Sequence, residues 1–472
     1  MARLASSAIM CAPESQDTLL LTLPIEVMTP IFNSIVQAAT ASSSYHSADL
    51  KSPPWTLSYV CSYWRRIILS LPIYWSHISL QMGFRFIANR HDIHLVALAL
   101  ERAKDHPLDV RLIDHTEKGI VLGHEAISQI LARSNQWKTF EYTTTFVDLG
   151  PLEALHNQFP LLESITLEAD HYHLEALKSS AFAVAPCLKR AKIGLSSLQV
   201  DLPFDQLESY EAGGTTFAVT DLRKCPRLQT YTGPPYLDFL LHPNLAVVRH
   251  TRLTRLQVGS SVELTWLLLP SLRHLVIYYP RRLGEDVFLE CANFVRNSDC
   301  VLDHFEVNSL NNVNRAHMEE FLGLAPQLRT LRLTLKDIKP EVIEATLGPL
   351  TLPSHSSFTT LDDNPTTSLV PRLQNLKLHF SQSPALFGNF DHGPLVALLQ
   401  SRYYVDSGED ETNRGTASPL CEVKIITRET ARSSEISEYW ELMLEGMNLS
   451  IVELDEMNKP VRSNFLPGLV GT

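Results

Sequence analysis

Five segments of this chain share one short pattern: PLLESITL (160–167), PCLKRAKI (186–193), PSLRHLVI (270–277), PQLRTLRL (326–333) and PRLQNLKL (371–378). Each reads Pro-x-Leu-x-x-apolar-x-apolar, and composition alone predicts roughly one such match. The pattern is restrictive because it joins a turn to a period of two. Alternate side chains then enter a core while those between them face outward, as in a short strand. Looser copies lie at 136–142, 206–212, 227–233, 252–258, 301–307, 419–425 and 448–454. The resulting anchors, from Trp137 and Leu162 to Leu420 and Leu449, are 19 to 47 residues apart.

Helix-like stretches at 123–134, 171–183 and 315–325 fall between several of these strands. Strand, crossover helix and strand at such a period predict an α/β fold of parallel strands, stacked as a solenoid with a strand-lined concave face. The segment IHLVALALERAKDHPLDVRLID (93–114) reads as a helix and a strand that open the array. Two stretches break the period, a Ser/Thr/Pro-rich one at 351–371 and an acidic one at 406–419, and both read as inserted surface loops. The repeats resemble degenerate leucine-rich repeats. The Asn or Cys of a strict repeat is mostly missing, so the expectation is an irregular arc over 81–456, with 457–472 as a tail.

The N-terminal part has a different grammar. In LPIEVMTPIFNSIV (23–36), Met28, Ile31, Phe32 and Ile35 recur at helical spacing, with Pro24 and Glu26 suited to the first turn. Pro30 lies inside this stretch and predicts a kink or an end there. A small, polar stretch at 37–54 reads as a loop. Leu57, Val60, Cys61, Trp64, Ile67, Ile68 and Leu71 mark a second helix, broken by Pro72, and Trp75 and Ile78 mark a short third element. Residues 19–80 therefore carry more apolar surface than so small a unit can bury within itself, which predicts a partner.

The ordered set Leu23, Pro24, Glu26, Ile31, Phe32, Val60, Cys61, Trp64, Pro72 and Trp75 resembles an F-box in the form common in fungal proteins. That resemblance covers about 60 of the 472 residues. It implies a three-helix module that docks on a Skp-type adaptor and, through it, on a cullin. Leu23, Pro24, Ile31, Phe32, Val60, Cys61, Trp64 and Trp75 are then the adaptor-binding residues. The loop at 37–54 is longer than in the compact form.

Charge and composition narrow the class. The formal net charge is −12, which disfavours phosphate-backbone binding to nucleic acid as the main task. No apolar run reaches a membrane span, and residues 1–18 read as a disordered start. Seven cysteines without a Cys-x-x-Cys pair indicate reduced thiols, hence cytoplasm or nucleus. No phosphate loop, nucleophile elbow or His-Glu-x-x-His zinc motif is present, and the His pairs at 91–94 and 171–173 lack completing ligands. The expectation is a non-enzyme without metal or cofactor. It is the substrate receptor of a Skp–cullin–F-box ubiquitin ligase or, alternatively, a repeat scaffold unconnected with ubiquitin. In the receptor reading Tyr278, Arg332, Lys377 and Lys424 face outward to hold an unknown target protein. The three cations form a basic stripe suited to an acidic or phosphorylated segment.

Overall fold

The computed structural model describes residues 23–42, 44–82, 90–114, 125–144, 149–155, 158–169, 177–194, 198–213, 219–234, 246–278, 286–336, 339–352, 369–380, 393–403, 420–427, 448–454 and 460–464. The expected disordered start, most of the 351–371 insertion and all of 406–419 lie outside the described residues. The chain divides into two compact units, the first formed by 1–172, 178–188 and 200–203 and the second by the remainder.

The first unit opens with helix α1 (Ile25–Thr40). It runs through Pro30 rather than ending there. Pro30 cannot donate to the turn before it, and Thr29 Oγ1 donates to the Ile25 carbonyl at 2.7 Å. The expected second helix is two, α2 (Trp55–Val60) and α3 (Ser62–Ser70). The break is at Cys61, whose extended backbone (φ −158°, ψ 171°) lets its Sγ accept from the Trp64 N–H at 3.4 Å, as an N-cap. Pro72 ends α3 and starts a single 3₁₀ turn to Trp75. Ile78 then belongs not to a third helix but to strand β1 (His77–Met82).

Strands β1, β2 (Leu108–Asp114), β3 (Trp137–Thr144) and β4 (Ser164–Ala169) form a parallel ladder. Helices α4 (Arg90–Ala103) and α5 (Glu125–Leu131) are the crossovers after β1 and β2. The polar stretch after α1 is not a free loop. Ser47 donates from its backbone to the Ser79 carbonyl and accepts from the Ser79 N–H, so it covers the edge of β1. The aromatic core joins the helices to the sheet. Trp55 and Trp75 meet edge to face at 4.7 Å, and the Arg102 guanidinium of α4 lies over both, 4.9 and 4.4 Å from the ring centroids.

In the second unit eleven strands lie side by side: β5 (Arg190–Ile193), β6 (Ser209–Ala212), β7 (Thr230–Thr232), β8 (Arg255–Val258), β9 (His274–Ile277), β10 (His304–Leu310), β11 (Thr330–Leu335), β12 (Asn375–Phe380), β13 (Glu422–Thr427), β14 (Leu449–Leu454) and β15 (Pro460–Asn464). All pairings are parallel except β14 with β15. Residues 460–464, read as tail, are thus a strand. The repeat signature has a local cause. The Leu N–H bonds the carbonyl of the residue before Pro (Leu188 to Ala185, Leu272 to Leu269, Leu328 to Ala325, Leu373 to Val370), closing a β-turn with Pro at its second position. The strand begins four residues after that Pro.

Repeat length decides the crossover. From β5 to β9 the anchors are 19–25 residues apart, and 3₁₀ turns lie between β5 and β6, between β6 and β7, and between β8 and β9. Beyond β9 the steps lengthen to 26–47 residues. Helices α6 (Val287–Ser298), α7 (Arg315–Leu324), α8 (Pro340–Leu347) and α9 (Gly393–Tyr403) fill the first four of these steps. Between β4 and β5 the expected helix at 171–183 is absent from the described part, where Leu177–Ser179 is a short strand. The core runs in rows across the strands. Leu256, Leu275, Phe305, Leu331, Leu376 and Val423 stand in register and are all buried.

Candidate functional site

Two surfaces stand out, one in each unit. The first begins on α1. Its buried side chains, Met28, Phe32 and Val36, follow an i, i+4 spacing. A second stripe at the same spacing, Val27, Ile31 and Ile35, is exposed, Ile31 by 43%. The stripe expected as one face is therefore two, offset by about 100° around the helix. Ile25, Tyr59, Val60, Leu69 and Ile73 are exposed as well. Eight of the twelve exposed large apolar side chains among the described residues thus lie between Ile25 and Ile73. Scattered surface apolar groups are ordinary; so dense a set is not.

The sequence-derived adaptor residues separate into layers. Pro24, Ile31 and Val60 are exposed. Leu23, Cys61 and Trp64 are half-buried, with the Leu23 carbonyl accepting from Tyr63 Oη at 2.6 Å and Trp64 meeting Phe32 edge to face at 4.9 Å. Phe32 and Trp75 are core, 0% and 1% exposed. Sequence reasoning missed Ile25, Val27, Tyr59, Leu69 and Ile73. The helical period was the available signal for Val27, four residues before Ile31.

The second surface is the outward face of β8–β13. The expected alternation holds through β11 and β12 and as far as Ile425 in β13, where the next residue, Ile426, is buried as well. Arg332 is exposed, whereas Tyr278, Lys377 and Lys424 are half-buried. Register places Glu306, Arg332, Lys377, Lys424 and Ser450 in one row, each opposite the next. Tyr278, directly after β9, lies outside that row. Adjacent strands are about 4.8 Å apart, so the three cations form a close line. Glu306, which the sequence reading did not single out, pairs with Arg332 at 3.3 Å. Its carboxyl is held below its ordinary range chiefly by the His304 imidazole, 3.7 Å away; burial opposes this, and Asn308 and Arg332 add to it. Burial first, then the Arg332 charge, lower the Lys377 ammonium, while Glu306 acts against them and Lys424 with them.

Among the described residues no group of three or more His, Cys, Asp or Glu could hold a metal ion, and no helix is long and apolar enough to cross a membrane. The 171–173 His pair lies outside the described residues.

No protein-family description matches the chain, and no curated protein matches it. Among solved structures, it is similar to a Bacteroides fragilis protein determined as a structural-genomics target, at 12% identity and a TM-score of 0.29, covering 59% of this chain and 70% of that one. A likeness at that level carries no argument about function.

Proposed function

We propose that the chain is a substrate-recognition subunit of a Skp–cullin–F-box type ubiquitin ligase, working in the cytoplasm or nucleus. The N-terminal helices hold the adaptor, degenerate leucine-rich repeats hold a target protein, and the chain itself performs no chemistry. The observation that carries this reading is the exposed Val27–Ile31–Ile35 stripe, with Tyr59 and Val60 exposed in the same segment, whose residue order resembles an F-box. Apolar groups fixed on rigid helices and left in water fit a docking face.

One observation favours the scaffold reading instead. Strand β1 pairs with β2, and Arg102 covers Trp55 and Trp75, so the N-terminal helices share a core with α4 and the first strands, as a terminal cap of a repeat array does. Deleting residues 1–80 would cut β1 and uncover that core, so it cannot separate the two. A surface double variant can. Ile31→Asp with Val60→Asp is expected to leave stability within about 0.5 kcal/mol of the parent and to weaken co-purification of a Skp-type adaptor by at least about tenfold. Failure of the unaltered chain to retain the adaptor, or equal retention by the double variant, removes the ubiquitin reading and leaves the scaffold.

A further inference from the structure

The crossovers of the second unit treat their exposed cations in two ways. Helices α6 and α7 pair theirs: Arg296 with Glu320, and Arg315 with Glu319 at 2.8 Å and with Glu344 of α8 at 3.7 Å. The short repeats before β7 and β8 do not. Residues 219–253 carry five cations, Arg223, Lys224, Arg227, Arg249 and Arg252, all exposed, and only two carboxylates. Asp221 is paired with Lys224 at 2.7 Å, and Asp238 lies outside the described residues. Among the described residues the side chains of Arg227, Arg249 and Arg252 make no hydrogen bond or ion pair. Single exposed arginines are ordinary; a set held together without counter-charge, in a chain of net charge −12, is not.

The set sits on one frame, off the outward strand face. Arg223 and Lys224 end the 3₁₀ turn ahead of β7. Arg249 lies on a two-residue strand, Val248–Arg249, that belongs to a separate small sheet with Leu267–Leu268. Arg227 and Arg252 lie in the turns that open β7 and β8. Two clasps join these pieces. Arg223 Nη2 donates to the Ala246 and Val247 carbonyls at 2.8 and 3.0 Å. His250 Nε2 donates to the Cys225 carbonyl at 2.8 Å, while its Nδ1 accepts from the Arg252 and Leu253 N–H groups at 3.3 and 3.1 Å. In the Pro-x-Leu turns a backbone carbonyl takes the Leu N–H; in this repeat the His250 imidazole takes it. The two turns are one strand spacing apart, about 4.8 Å. Their backbone is fixed before any ligand arrives, which lowers the ordering cost of binding.

We propose that Arg223, Arg227, Arg249 and Arg252 form a docking surface for a short run of aspartates or glutamates in a partner protein. The planar guanidinium fork matches a carboxylate with two parallel hydrogen bonds, and arginine, not lysine, makes up the unpaired set. Arg223 keeps its Nε and Nη1 donors after clasping the two carbonyls. Extent decides against a longer polyanion. Two neighbouring turns match two or three residues of extended peptide, at about 3.3 Å each. A nucleic acid or a charged membrane would continue past the patch onto a surface of net negative charge and be repelled there. The inference goes beyond the ubiquitin reading and uses neither the adaptor helices nor the strand face.

The test immobilises the full chain and offers a labelled hexaglutamate peptide, its hexaglutamine counterpart, a single-stranded oligonucleotide and vesicles containing an anionic phospholipid. Hexaglutamate is expected to bind above the other three, with affinity falling as salt rises. In Arg227→Gln with Arg252→Gln that affinity is expected to fall at least about tenfold. Neither side chain has a polar contact in the fold, so the melting temperature should not move and loss of structure does not confuse the result. Lys51→Gln with Lys138→Gln removes the same charge from exposed positions of the first unit and is expected to leave the affinity unchanged. Equal binding of the glutamine peptide, unchanged affinity in the arginine double variant, an equal loss in the lysine double variant, or preference for the oligonucleotide or the vesicles each overturns the proposal. Adaptor co-purification is read separately. If the unaltered chain fails to hold adaptor yet binds hexaglutamate through these arginines, the ubiquitin reading falls alone.

Discussion

The N-terminal helices and the strand face of the second unit resolve the same problem, which side chains to hide, in opposite ways. In a strand such as β11 a period of two assigns each residue to one side, and the outward side is polar: Thr330, Arg332 and Thr334 against buried Leu331, Leu333 and Leu335. In α1 the apolar set is wider than the buried face, so Ile31 and Ile35 are left outside beside buried Phe32. The strand face is therefore a surface whose chemistry comes from charge placement. The helical face is one whose chemistry comes from apolar excess. A motif residue on the first is a contact residue by default, and one on the second is as often a core residue.

The largest effect that can break this comparison is at Trp75. If it is core as Phe32 is, Trp75→Ala costs about 3–5 kcal/mol and melts the first unit early in a thermal scan. A merely local loss of adaptor binding with an unchanged transition would put Trp75 on the docking face after all. A smaller contrast sharpens the strand side. Leu376→Ala is expected to cost about 2–5 kcal/mol, and its neighbour Lys377→Ala to lie within about 0.5 kcal/mol of the parent in denaturant unfolding. Comparable losses would contradict the alternation. The smallest effect concerns Glu306. A carboxyl whose pKa is depressed on folding contributes stability above its unfolded value, near about 4.3, and loses it as pH falls through the folded one. Glu306→Gln should therefore melt below the parent at neutral pH, with the gap closing under acid; a gap that persists at low pH would mean the carboxylate is not held by His304 and Arg332.

The strands were legible because Pro-x-Leu fixes both the turn and the phase. The five full copies place the strand starts at Ser164, Arg190, His274, Thr330 and Asn375 without ambiguity. The row of cations was half legible: the outward direction of Arg332, Lys377 and Lys424 follows from phase, but their being opposite one another depends on how crossovers of unequal length align. Less was legible at the N-terminus. Nothing in a helical period says that Cys61 will leave the helix and cap the next one, or that Ile78 will switch to a strand. Both depend on backbone groups finding partners in three dimensions. For the same reason the resemblance-derived set mixed Val60, exposed at the surface, with Trp75, buried beneath it.

Arg402 of α9, fully buried, donates to the carbonyls of Leu350 and Val370 at 3.0 Å each, and its neighbour Ser401 accepts from the Leu352 N–H at 3.1 Å. These three groups lie just before and just after residues 353–368. One guanidinium thus works as a buckle: it ties the 3₁₀ turn after α8 to the turn that opens β12, so that a third element, α9, holds both. The turns on either side of 353–368 therefore share one buried anchor, and losing it would loosen both at once.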